Sequence, residues 1–296
     1  MESSEAMNTS TLLAACILLV LVGFGQTVPP KPPAGYKWVR NWSLSDEFFG
    51  NALNKNKWMN RHDFWWGRAP TVFNPSTVSV SGGYLRIRNK LQPNPRNGQW
   101  IAGGAVMSKT YSAGFGYYET RMKASSIRMS SAFWMQNRME KLNSTKCWND
   151  RYMQELDIVE AVGGYYGKSS THMAANTHYR YHACDQNGNM IRKEKFYSRG
   201  ANMPIGARVN SRFITYGAWW KDGNHVTFYV NDRPGQTVWF RKDIDKTAPF
   251  DRKQALIMSC STYFWLQPYP SKQDLMNAQR STAMWDWVRS WYLVKA

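Results

Sequence analysis

The chain has 296 residues, 43% of them hydrophobic and 20% charged, which is enough apolar material for a core and excludes an intrinsically disordered chain. That length suits one large all-β domain. The formal net charge of +18 favours polyanionic partners; with no recognition helix, zinc finger or basic-aromatic RNA motif in sight, nucleic acid ranks last among them. Aromatic residues make up 15%, with 15 Trp and 16 Tyr, and flat amphipathic rings stack on sugar faces or on bases.

In chain order, the first feature is an apolar run from Leu12 to Phe24, followed by small residues and a Pro-rich stretch. It is short for a membrane span and lacks a basic stop-transfer flank, so residues 1–26 are expected to be a secretory signal and 27–35 a linker. Its leading part has Glu2 and Glu5 and no Lys or Arg, a departure from the usual basic start that leaves initiation at Met7 or an uncleaved signal anchor as alternatives. A secreted, extracellular product without stable membrane association follows. In that oxidising setting Cys147 and Cys184 are the expected pair, since both lie in polar, loop-like sequence flanking one central segment. Asn41-Trp42-Ser43 and Asn143-Ser144-Thr145 are glycosylation sequons.

Residues 36–296 read as one domain of short β-formers punctuated by Gly, Asn, Asp and Pro, the pattern of a β-sandwich. Thr77 to Asn89 is expected to be a hairpin turning on Gly82-Gly83. Strands are expected in Phe115 to Ser125, Ser130 to Gln136, Met153 to Ala161, Phe213 to Asp232 (two strands about Lys221 to Gly223) and Met284 to Lys295, with a short helix near Ser271 to Gln279.

Chemistry concentrates in Gln154-Glu155-Leu156-Asp157-Ile158-Val159-Glu160. Alternation puts Glu155 and Asp157 on one face, with Leu156 and Ile158 on the other. Glu160 is out of phase by one residue, and a single β-bulge between Asp157 and Glu160 returns it to the acidic face. Two carboxyl groups held close, one ionised and one protonated, suit a retaining glycosidase, with Asp157 tuning its neighbours. By themselves the residues also suit an exposed acidic strand or a divalent-cation site.

This segment resembles the bulged Glu-x-Asp-x-x-Glu signature of family 16 glycoside hydrolases. Ser45 to Gly50, Asn54 to Trp58, Gly103 to Lys109, Gly114 to Lys123, Ser130 to Met135 and Trp285 to Tyr292 are similar to further segments of that family, so the likeness covers nearly all of the chain after the linker. The resemblance implies a β-jelly-roll sandwich with a concave substrate groove, Glu155 as nucleophile, Asp157 as assistant and Glu160 as acid/base. Phe64 to Pro70 and Asn176 to Tyr179 resemble the agarase, porphyranase and carrageenase-like branch. By that likeness Trp65 or Trp66 and Trp134 stack on sugar rings, Arg68 contacts a hydroxyl or sulfate, and Asn176 and His178 contact sugar near the cleavage point. Porphyran-specific relatives have a basic residue just after the stacking Trp, whereas this chain reads Trp134-Met135-Gln136, with Arg138 beyond.

The implied activity is an endo-hydrolase of a red-algal-type galactan, working as a monomer without a cofactor. The net charge points to a sulfated substrate. A structural calcium is a further implication, with Glu47 and Asp286 in the matching segments. A wall-polysaccharide transglycosylase and a non-catalytic galactan-binding lectin are the rival readings.

Overall fold

A computed structural model describes residues 29–141, 151–191, 194–240 and 249–296. In chain order the strands are β1 (Tyr36–Arg40), β2 (Trp58–Met59), β3 (Thr71–Phe73), β4 (Val78–Ser81), β5 (Tyr84–Arg88), β6 (Lys90–Arg96), β7 (Gln99–Ser108), β8 (Gly116–Lys123) and β9 (Ser130–Gln136). They continue as β10 (Arg151–Ala161), β11 (His172–His182), β12 (Lys195–Pro204), β13 (Ile214–Trp220), β14 (His225–Val230), β15 (Arg233–Trp239), β16 (Ala255–Ser261) and β17 (Thr282–Lys295).

They form two sheets among the described residues. One runs β15-β14-β13-β8-β17-β5-β4, with β1 beside β17; the other runs β12-β11-β10-β9-β16-β7-β2, with β3 and β6 on β7. The main core fills the space between them, from Leu85, Ile87, Trp220 and Trp285 on one side to Phe133, Leu156, Ile158 and Met258 on the other. Alternation explains this: each strand buries every second side chain and leaves the others for the outer face. The fold is the expected all-β jelly-roll sandwich.

The Thr77 to Asn89 hairpin is present, and Gly82 and Gly83 turn it at φ +58° and +78°, where a Cβ is disfavoured at both central positions. The carboxy-terminal helix is shorter than expected and split. A capping box between Ser271 and Asp274 starts α1 (Lys272–Met276); Asn277, extended at ψ 98°, ends it and caps α2 (Ala278–Ser281) by accepting from the Arg280 N–H.

Several strands lack a readable sequence signal. β16 is buried along its whole length because both faces are covered, so ALIMSCS shows no alternation. β12 and β15 lie at the edge of their sheets, mostly exposed, and their Gly and Pro hide them.

Cys260 is a buried free thiol, which burial pushes up to about 12. Cys184 is disulfide-bonded. The expected pairing with Cys147 falls on residue 147, outside the described residues, as do the Asn143 sequon and residues 1–26. In the other sequon Asn41 accepts a hydrogen bond from Ser43 Oγ at 2.7 Å.

Candidate active site

Three adjacent strands pave the site. β10 pairs with β9, and β9 with β16, so their outward side chains fall into rows: Glu155, Gln136 and Ala255; Asp157, Trp134 and Ile257; then Glu160, Ala132 and Ser259. The third row exists because the register slips between Asp157 and Val159. This is the anticipated bulge. Ile158 and Val159 consequently both enter the core, and Glu160 returns to the face of Glu155 and Asp157. All three acids line one cleft.

Glu155 Oε2 accepts an N–H from Gln136 at 2.6 Å. Glu160 Oε1 accepts the hydroxyl of Tyr263, which also reaches Ser130 Oγ at 3.0 Å. Asp157, only 4% exposed, lies 3.2 Å from His178 Nε2 through Oδ2.

Burial, followed by the negative charges of Asp157 and Glu160, pushes the Glu155 carboxyl up to about 8, against the opposing pull of His178 and Arg180. Burial, then Glu160, holds Asp157 well above the ordinary carboxylate range. His178 is lowered, chiefly by burial, and the imidazole is neutral at ordinary pH. Glu155 and Asp157 thus both bind protons more tightly than ordinary carboxyl groups, as crowding of acids on one wall requires. Glu155, Asp157 and His178 could each also offer an atom to a metal, all within 4.8 Å of one another. The Gln136 N–H aimed at Glu155 favours the protonic use.

Aromatic residues wall the cleft. Trp134, 6% exposed, donates its indole N–H to Ser259 Oγ at 3.0 Å and stacks on buried His62 at 5.7 Å. Trp65 meets Trp134 edge-on at 5.9 Å and lines the cleft. Trp66 is 63% exposed and does not line it, so of the two neighbouring tryptophans only Trp65 faces the cleft. The Arg68 guanidinium lies 5.5 Å from the Trp65 ring centroid and 5.0 Å from that of Tyr263. It donates to the Thr262 carbonyl at 3.2 Å, while Thr262 Oγ1 donates to the Arg68 carbonyl at 3.0 Å; these bonds pin the Arg68 loop to the end of β16.

Asn176 and His178 stand beside the acids on β11, opposite Asp157 and Glu155. Neither lines the cleft. Asn176 Oδ1 accepts from Thr177 N at 3.0 Å and Ser198 Oγ at 3.2 Å, and His178 stacks on Phe196 at 5.1 Å. His178 supports the acids from the side through Asp157, whereas the Asn176 side chain is engaged by Ser198 of β12.

Sequence reasoning missed Tyr263, Arg180, Gln136 and Phe64, which line the cleft. Gln136 and Arg180 were within reach of it, because strand alternation from Trp134 and from His178 places them on the same faces. Tyr263 and Phe64 lie in loops and carry no such signal.

The residues matched to a structural calcium do not suit one. Glu47 is held by Arg40 and by Arg289, the latter at 2.9 Å, and Asp286 is held by Arg121. The arginines draw Glu47 below its ordinary range despite its partial burial. Each carboxylate already has a cationic partner, so these donors do not make an oxygen cage for a divalent ion.

Residues 38–293 match the family model described as Beta-porphyranase A-D, GH16 domain. Beta-porphyranase E of Zobellia galactanivorans is 38% identical over 267 residues, covering 88% of this chain and 90% of the relative. Beta-porphyranase B of Phocaeicola plebeius is 37% identical over 288 residues, covering 90% and 88%. Among solved structures, the beta-porphyranase BpGH16B from the human gut bacterium Bacteroides plebeius aligns with a TM-score of 0.78 at 36% identity, over 90% of this chain and 95% of that one.

Proposed function

The chain belongs to the porphyranase group of family 16 glycoside hydrolases, and on that premise we propose that it is a secreted endo-hydrolase that cleaves the β-glycosidic bonds of a porphyran-type sulfated galactan with retention of configuration. The observation that carries this reading is the bulge between Asp157 and Val159, which sets Glu155, Asp157 and Glu160 in successive rows of one cleft. Without it, one of the two glutamates would lie in the core.

In the proposed cycle Glu155 attacks the anomeric carbon while Glu160 protonates the departing oxygen. Asp157 retains a proton, removing one negative charge from between the glutamates, and the Gln136 N–H stabilises ionised Glu155. Tyr263 orients Glu160. Trp65 and Trp134 supply stacking surfaces, and Arg68 offers a planar fork for a sulfate or hydroxyl. A sulfated substrate accords with the +18 net charge and with the substrates that the similar proteins' names carry. A lectin would have no use for three acids sharing one buried wall.

The test is incubation of the purified protein with porphyran, agarose and carrageenans, followed by product sizing and NMR of the first reducing ends. Depolymerised porphyran with β-configured ends is expected, with binding that weakens as salt rises. Initial α-configured ends, or no cleavage of any of these galactans, would overturn the proposal.

A further inference from the structure

The outer face of the other sheet carries a second groove, remote from the acids. β4, β5, β17 and β8 lie side by side there, and their register aligns Ser79, Arg86, Met284 and Lys123 in one row, with Arg88 opposite Thr282 in the next. The intervening residues Leu85, Ile87, Ala283 and Trp285 are buried in the core, so these side chains face outward. Arg280 of α2 closes one end of the groove. Four cations, Arg86, Arg88, Lys123 and Arg280, thus converge on one hollow, and among the described residues no carboxylate lines it.

Part of this array is braced. Arg280 pairs with Asp274 at 3.0 Å, and Arg86 Nε donates to Ser81 Oγ at 3.1 Å. Arg88 and Lys123 have no ion pair among the described residues. An aromatic pair stands alongside: Tyr84 stacks on Phe213 at 5.2 Å and 15°, with Arg86 over the first ring and Arg121 over the second. A basic surface that merely confers solubility disperses its charges, because like charges gathered in a hollow repel one another. Arg86 and Lys123 are two strands apart, about 10 Å, the scale of a disaccharide repeat bearing one anion.

We propose that this groove is a second, non-catalytic binding site for a sulfated polysaccharide chain, holding the enzyme on its polymer from the side opposite the cleft. The cations bind the sulfates, and the Tyr84–Phe213 pair flanks the sugar chain. The choice of ligand rests on the proposed activity toward a sulfated galactan.

The test combines Arg86→Gln, Arg88→Gln and Lys123→Gln in the Glu155→Gln background, so that binding is read without turnover. Migration through native gels containing porphyran or neutral agarose gives the affinity, and thermal melting checks the fold. The triple change should weaken porphyran binding roughly tenfold, flatten its salt dependence and leave agarose binding alone. The corresponding Arg→Lys changes at positions 86 and 88 should bind like the parent. In the active enzyme, the triple change should slow cleavage of polymer but not of short oligosaccharides. Porphyran binding within twofold of the parent, or equal losses on porphyran and agarose, would overturn the second site. Failure of the proposed activity is a separate result, since it would show as absent cleavage of galactan by the unmodified enzyme while the groove-dependent porphyran binding persisted.

Discussion

The hydroxyl of Tyr263, in the loop after β16, donates to Oε1 of Glu160 on β10, joining residues 103 positions apart in the chain. Burial and the charge of Glu160 hold the phenol well above its ordinary range, so Tyr263 remains a donor at every working pH. Tyr263→Phe should therefore lower kcat by about 10–100-fold, the worth of one hydrogen bond to a charged group. An unchanged rate would remove Tyr263 from the site.

Glu155→Gln and Glu160→Gln preserve shape and remove ionisation, so each should reduce kcat by at least ~10²–10⁴-fold with no loss of melting temperature. Asp157→Asn should fall less, because the proposed role of Asp157 is to hold a proton and orient its neighbours. Steady-state rates on one porphyran preparation decide the order.

Glu155 must be ionised to attack, and its proton affinity is raised to about 8. The ascending limb of kcat/KM against pH should accordingly lie well above the usual carboxylate range, toward 8. Gln136→Leu, which removes the N–H donated to Glu155 at 2.6 Å, should shift that limb to still higher pH. A limb at ordinary carboxylate values in both proteins would contradict the assignment.

Buried His62, under Trp134, has its affinity lowered by burial from 6.5 to about 4. The unfolded chain therefore binds more protons between these values, and stability falls as pH drops through this window. The contribution is complete above 6.5 and lost once pH falls through about 4. Urea unfolding should show the native protein losing ~2–3 kcal/mol more than His62→Phe between pH 7 and 4. Equal slopes would rule out this linkage.

Trp134→Ala should raise KM and lower turnover while leaving the products β-configured, because stacking positions the sugar but does not choose the attacking face. NMR of the first products checks the second half of that statement independently of the rate.

Local patterning determined much of this protein before any folding was considered. Period-2 alternation and a Gly-Gly turn specify the hairpin at Val78–Ser81 and Tyr84–Arg88, and the spacing of Glu155, Asp157 and Glu160 requires a bulge between the last two. These signals are legible because each depends on residues a few positions apart along one strand. The tertiary structure alone decided which distant side chains complete the site. Tyr263 meets Glu160, and Arg68 is fastened to Thr262, 194 residues away, only because β16 pairs with β9 and β9 with β10. The same holds for Glu47 and Asp286, whose carboxylates the family resemblance matched to a structural calcium. Arg289 and Arg121 come from neighbouring strands to neutralise them, and a strand's own sequence carries no record of the charges its neighbours present.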